Sequence, residues 1–141
     1  MATYDDQNIF AKILRGELPA FKVFENDHTF AFMDIMPRSP GHTLVIPKAP
    51  ARNLLDISEA DFLEVARTTR HIAPAAMKAF AADGLIIQQF SEPASGQVVF
   101  HLHMHIMPVK EGVPLLPPQS RKEDFKVLEE HAARLIAALK G

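Results

Sequence analysis

The sequence predicts an α+β fold: a five-stranded antiparallel sheet carrying one long helix, with terminal helices before and after it. Three observations predict it. Five short apolar or alternating runs are separated mostly by turns of hairpin scale, which suits antiparallel pairing. Between the third and fourth runs, the stretch 59–80 has helical rather than two-residue periodicity. The last run, Phe100-His101-Leu102-His103-Met104-His105-Ile106-Met107-Pro108, alternates imidazole with apolar side chains. A strand puts such alternate residues on opposite faces, whereas a helix scatters them around its axis.

Taken in order, residues 7–15 place Ile9, Phe10, Ile13 and Leu14 at helical spacing, with Gly16 as a stop and Pro19 beyond it. Residues 21–25 read as a strand, Asn26-Asp27 as a turn, and 29–35 as the returning strand of a hairpin. Pro37-Arg38-Ser39-Pro40-Gly41 is a loop by composition, and 42–47 is a third strand, stopped by Pro47 and Pro50. Ser58 with Asp61 three residues on forms a capping box, with Asp in place of the usual Glu. The helix that follows presents Phe62, Val65, Ala66, Ile72 and Met77 to a core and is expected to kink or shorten at Pro74. Gly84 closes the next loop, 85–90 is a fourth strand, and 91–96 is a small-residue turn into the histidine strand. Residues 112–118 are Pro-rich and extended, and 123–139 forms a terminal helix with Phe125, Leu128, His131, Leu135 and Leu139 near one stripe. The expectation is one domain over 1–141, with a core of about 8–109 and a C-terminal extension, 110–141. Helices on one side leave a sheet face and an edge to cover, which makes a homodimer the expected state.

Composition excludes several classes. Hydrophobic residues at 48% and charged residues at 23% are ordinary for a soluble globular chain, and 141 residues suffice for a real core. A net charge of −2 offers no basic field for a nucleic-acid polymer. The absence of cysteine removes disulfides, thiolate ligands and a cysteine nucleophile together, and suits a cytoplasmic location. No apolar run reaches the length of a membrane span, and Met1-Ala2-Thr3-Tyr4-Asp5-Asp6 lacks a signal-peptide pattern.

Three of the chain's seven histidines stand in the last strand at two-residue spacing. Two chemistries suit such a row. Neutral imidazoles bind metal ions; alternatively, one imidazole attacks while its neighbours orient it or handle protons. Ser95-Gly96-Gln97 precedes the row, and the turn amides there can hold phosphate oxygens, Gly96 permitting close approach. Alone, this is equally a hairpin turn. His42 opens the third strand, and Asp34 ends the apolar run 31–35, where its carboxylate can receive a ribose diol or cap the following turn.

Gly96-Gln97 followed by His101-Leu102-His103-Met104-His105-Ile106-Met107 resembles the motif of the histidine triad family, His-φ-His-φ-His-φ-φ. Ile9-Phe10-Ala11-Lys12-Ile13, Phe32-Met33-Asp34-Ile35 and Gly41-His42-Thr43-Leu44-Val45-Ile46-Pro47-Lys48 resemble that family in the same order, so the likeness runs from about 8 to 109. It is nearest to small bacterial members close to the purine-nucleoside phosphoramidate hydrolases. The resemblance implies a five-stranded sheet paired into a dimer, and hydrolysis or transfer at the α-phosphate of a purine nucleotide conjugate without a cofactor. It implies that His103 is the nucleophile and forms a nucleotidyl-histidine, that His105 meets the departing group, and that His101 and His42 support the cluster. By the same carry-over Asp34 takes the ribose hydroxyls, Ile9, Phe10, Phe32, Ile35 and Leu44 form the nucleoside pocket, and Gly96 and Gln97 hold the phosphate.

The chain departs from the family in two places. Many bacterial relatives hold a structural zinc with an N-terminal Cys-x-x-Cys, a His after the third strand and the first triad His; here Asn8, Ala11 and Pro50 stand at the non-triad positions, so no metal is expected. Relatives also tend to carry an amide ahead of the phosphate turn; here the stretch is Gln89-Phe90-Ser91, with Gln89 and Ser91 both available for the place, and Val98 stands where some relatives have a hydroxyl. Loss of one such hydrogen bond costs about 0.5–1.5 kcal/mol. The competing readings are a catalytically silent nucleotide-binding or scaffold protein, a dinucleoside polyphosphate hydrolase, and a metal protein using the imidazole row.

Overall fold

A computed structural model describes residues 2–141. Its elements are α1 (Ile9–Leu14), β1 (Lys22–Glu25), β2 (Thr29–Met33), β3 (Thr43–Pro47), α2 (Glu59–Ala79), β4 (Gly84–Gln88), β5 (Met104–Val109) and α3 (Phe125–Lys140), with a 3-10 turn at Pro93–Ser95. The strands form one antiparallel sheet in the order β1-β2-β3-β5-β4. The predicted fold class is the observed one.

The two faces of the sheet are built differently. Thr29, Ala31 and Met33 of β2, Val45 of β3 and Ile106 of β5 turn toward α2 and α3, meeting Val65, Ile72, Ala76, Leu128 and Leu135 in the main core. Ser58 caps α2 by accepting from the Asp61 N–H at 3.1 Å, as the capping box predicts. Pro74 neither stops nor shortens this helix, which runs on to Ala79. Burial of Ile72, Ala75 and Ala76 around it outweighs the hydrogen bond the proline removes. The opposite face carries a smaller cluster, Phe10 from α1 with Phe32, Leu44 and Ile46. Asn8 starts α1 by accepting from the Ala11 N–H.

The histidine segment differs from the expected uniform strand. β5 begins only at Met104. Ahead of it, Leu102 donates its N–H to the Ala51 carbonyl, and the His101 ring reaches the Pro47 carbonyl. Those two bonds take 101–102 off the ladder. Leu102, Met104 and Ile106 still serve the main core, whereas Phe100 lies under the Arg52 guanidinium, 4.1 Å from its ring centre. The register then lines up Lys22, Phe32, Leu44, His105 and Gln88 as one row across all five strands. Cross-strand partners share a face, so the imidazole of His105 stands beside the apolar Phe32–Leu44 wall. No helix among the described residues is long and apolar enough to cross a membrane.

Candidate active site

Four imidazoles meet on the α1 face, and hydrogen bonding assigns each its tautomer. The His103 Nδ1 lies 2.7 Å from the His101 carbonyl oxygen, which can only accept. His103 therefore carries its hydrogen on Nδ1 and leaves Nε2 as a bare lone pair. The Arg38 N–H donates to His42 Nδ1 at 3.0 Å, which puts the His42 hydrogen on Nε2. That N–H meets His105 Nδ1 at 2.9 Å. His105 Nδ1 is thus the acceptor and Nε2 keeps the hydrogen. One imidazole, His103, offers an electron pair; its neighbour, with ring centres 4.9 Å apart, offers an N–H.

Exposure divides the four the same way. His42 and His101 are each 1% exposed, whereas His103 and His105 are half-buried. Burial pushes all four below the ordinary histidine range. His42 falls to about 4, with Arg38 and His103 adding to burial and Asp34 opposing it. His101 falls to about 4, burial outweighing the Pro47 carbonyl. His105 falls to about 2, through burial and then His103, His42 and Arg38. His103 is lowered by burial against the pull of the His101 carbonyl and Asp34. All four rest neutral near pH 7.

The walls around this cluster come from three segments. Phe10 stands edge-on both to Phe32, at 5.3 Å, and to His103, at 4.9 Å. Phe10, Phe32 and Leu44 are buried together; Ile9 and Ile35, expected in the same pocket, are exposed. Asp34 uses Oδ1 to accept from the Met36 N–H at 2.8 Å, the turn-capping role, and its Oδ2 lies 3.5 Å from His42 Nε2. Gly96 has φ +109 in the turn after Pro93–Ser95, a conformation open mainly to glycine. The side chain of Gln97, by contrast, is used up internally: its Nε2 donates to the Arg52 and Val99 carbonyls, and its Oε1 accepts from the Glu92 N–H and from Asn53. Glu92, at φ +76, is held by both Arg52 and Asn53. Gln89 and Ser91 bond each other, while the Phe90 ring stands edge-on to His105 at 5.4 Å. Neither of the two residues available to replace the missing amide thus points at the histidines through a free group.

The HIT domain model matches residues 15–112 of this chain. The chain belongs to the HIT family. It is similar to the crystal structure of a HIT-like protein from Bartonella henselae, with 49% identity, a TM-score of 0.93, and 97% of this chain and 99% of that one covered. It is 36% identical to the adenosine 5′-monophosphoramidase of Saccharomyces cerevisiae, over 99% of this chain and 87% of the relative. It is 31% identical to an adenylylsulfatase of Arabidopsis thaliana, over 99% of this chain and 71% of the relative.

The donor set of this HIT chain does not fit a metal at either place where one could be sought. At the zinc positions of relatives, Asn8 is occupied as the α1 cap, Ala11 and Pro50 have no ligand atom, and His101 spends both ring nitrogens on Tyr4 and Pro47. Asp34, His42 and His105 bring ligand atoms within 4.8 Å of one another. There, however, His42 Nε2 bears a hydrogen because Nδ1 accepts from Arg38, so the lone pair a metal needs is missing.

Sequence reasoning on the HIT motif missed four contributors. Tyr4 bonds His101, the Arg38 N–H sets the His42 tautomer, and the Pro47 carbonyl sets that of His101. Backbone partners leave no mark in a sequence. Gln88, one residue from the position considered, is the cross-strand partner of His105, and its Oε1 is buried with no hydrogen-bond partner among the described residues. Only the register between β4 and β5 reveals it.

Proposed function

We propose that the chain is a hydrolase of nucleoside phosphoramidates or related nucleotidyl conjugates, acting at the α-phosphate through a covalent nucleotidyl-histidine. The observation that carries this reading is the bare Nε2 of His103, held by the Nδ1–H bond to the His101 carbonyl at 2.7 Å. The lone pair of Nε2 attacks phosphorus, the bond from phosphorus to the departing atom breaks with its electron pair on that atom, and the His103 ring becomes positively charged. The His101 carbonyl, already bonded to Nδ1–H, stabilises that charge. His105 turns Nε2–H to the departing group, through which a solvent proton reaches it. Water then attacks phosphorus, His103 leaves in its original tautomer, and a proton returns to solvent. Two displacements replace one difficult step.

In this reading the Phe10–Phe32–Leu44 wall, flanked by Ile9 and Ile35, receives the base, and the free Asp34 oxygen faces the ribose. The Gly96–Gln97 turn borders the phosphate by its shape, its N–H groups donating to the Pro93 and Glu92 carbonyls at 3.0 and 3.4 Å, while the Gln97, Gln89 and Ser91 side chains keep that loop in place. The similarity to an adenosine 5′-monophosphoramidase and an adenylylsulfatase supports an adenylyl group as the common part of the substrate. The chain works as a homodimer through β4 and α2: the β1 edge is guarded by the charges of Lys22, Glu25 and Lys48, whereas β4 is uncharged and leaves Ile87 exposed. Turnover of adenosine 5′-phosphoramidate tests the activity, with release of AMP by the wild type and none by His103→Ala expected. Binding of AMP without turnover would instead make the chain a silent nucleotide binder, a reading favoured by Phe90 and Val98 in place of polar groups.

A further inference from the structure

We propose that Tyr4 is a positioning residue for the nucleophile: its phenolic O–H donates to His101 Nδ1 and thereby fixes the carbonyl that holds His103 in its attacking tautomer. This rests on His103 being the nucleophile. The geometry is specific. Tyr4 Oη lies 2.6 Å from His101 Nδ1, and the two rings meet edge-on with centres 5.6 Å apart. On the far side of the His101 ring, Nε2 lies 2.8 Å from the Pro47 carbonyl oxygen. A carbonyl only accepts, so the hydrogen sits on Nε2 and Nδ1 is bare. The phenol must therefore be the donor in its bond.

Residue 101 needs such anchoring because it lies ahead of β5 and makes no ladder bond of that strand. Its place is set by its ring, clamped between the end of β3 and residue 4, and by the neighbouring Leu102 N–H on the Ala51 carbonyl at 2.9 Å. The His101 carbonyl then receives His103 Nδ1–H. With the ring 1% exposed, removal of the phenol leaves Nδ1 without bulk water as a substitute partner. The same chain segment touches the nucleophile a second time. Asn8 donates to the Asp5 carbonyl and caps α1, and Phe10 of α1 stands edge-on to His103. Residues 4–10 thus form a strap that reaches His101 with a hydroxyl and His103 with a ring.

Tyr4→Phe keeps the ring and removes only the oxygen. The readouts are steady-state kinetics with adenosine 5′-phosphoramidate and nitrogen-15 spectra of the imidazoles in the full-length protein. We expect kcat to fall about three- to tenfold, the weight of one neutral hydrogen bond, with KM changed by less than about twofold. In the wild type, His101 should carry its hydrogen on Nε2 and His103 on Nδ1. In the variant, the His101 Nδ1 resonance should move toward that of an unbonded ring nitrogen, and His103 should populate both tautomers. Unchanged kcat with unchanged imidazole spectra would overturn the proposal. So would a wild-type His101 protonated on Nδ1, a result that needs no variant to fold. Should the wild type fail to turn over the substrate, the hydrolase reading falls, while the tautomer populations still decide the role of Tyr4.

Discussion

The two faces of the sheet do opposite work with the same strands. The α2–α3 face is close-packed, with Val45, Val65, Ile72, Ile106 and Leu135 fully buried. The α1 face buries less, around Phe10, Phe32, Leu44 and Ile46, and spends its remaining area on four imidazoles whose tautomers are all set by hydrogen bonds. β2 and β3 serve both faces by alternation, Val45 inward and Leu44 toward the site. The difference separates packing from the proposed chemistry: a change to a packing residue on one face is expected to leave the hydrogen bonds of the other in place.

The largest effect that sharpens the comparison is His103→Ala. Turnover should fall on the order of 10⁴-fold or more, as loss of a nucleophile does, while the thermal midpoint stays close to wild type because the side chain lies outside the main core. The reciprocal change is Ile72→Ala. It should cost about 2–5 kcal/mol of stability, read by urea unfolding, yet leave kcat near wild type at a temperature where the variant is folded. A large loss of kcat there would break the separation of faces.

Acid should attack the site face first. The buried imidazoles have folded-state values lowered from 6.5, His42 and His101 to about 4 each. Below 6.5 the unfolded chain binds protons that the folded chain refuses, so stability is full above about pH 6.5 and declines as pH falls toward 4. For His101 alone the loss amounts to on the order of 3 kcal/mol. Urea midpoints across this range check it, and His101→Gln should flatten the slope. A smaller, selective effect is expected from His105→Ala. Conjugates with poor leaving groups should slow more than those with good ones, seen in a series of amine and aryl leaving groups; equal slowing across the series would remove His105 from the departing-group side. Sedimentation at micromolar concentration should give a dimer, and a monomer of 15.7 kDa would contradict pairing through β4.

Much of this was legible in the sequence because periodicity reports burial. The alternation of Leu102, Met104 and Ile106 placed three residues on the main core, and the Phe10, Phe32 and Leu44 wall followed from resemblance. Strand ends were less legible. Phe100 to His103 alternates like the strand that follows, but ring and backbone bonds to Pro47 and Ala51 draw that stretch off the ladder. Pro74 reads as a kink or an early end because local propensity carries no knowledge of the core around Ile72 and Ala76. Partners such as the Arg38 N–H and the Pro47 carbonyl were invisible, since every residue has a carbonyl and all but the prolines an N–H. Gln97 shows the converse: its place in the motif was visible, but its brace on Arg52, Asn53 and Glu92 required the loop to be folded.

The central claim is that tautomer wiring makes His103 Nε2 the attacking atom. Rapid quench of the enzyme with a nucleotide conjugate labelled in its phosphate, followed by peptide mapping, tests it most directly. The account predicts a transient, acid-labile nucleotidyl adduct on Nε2 of His103, formed and lost at rates consistent with turnover. An adduct on His101 or His105, or full turnover by His103→Ala, would contradict it.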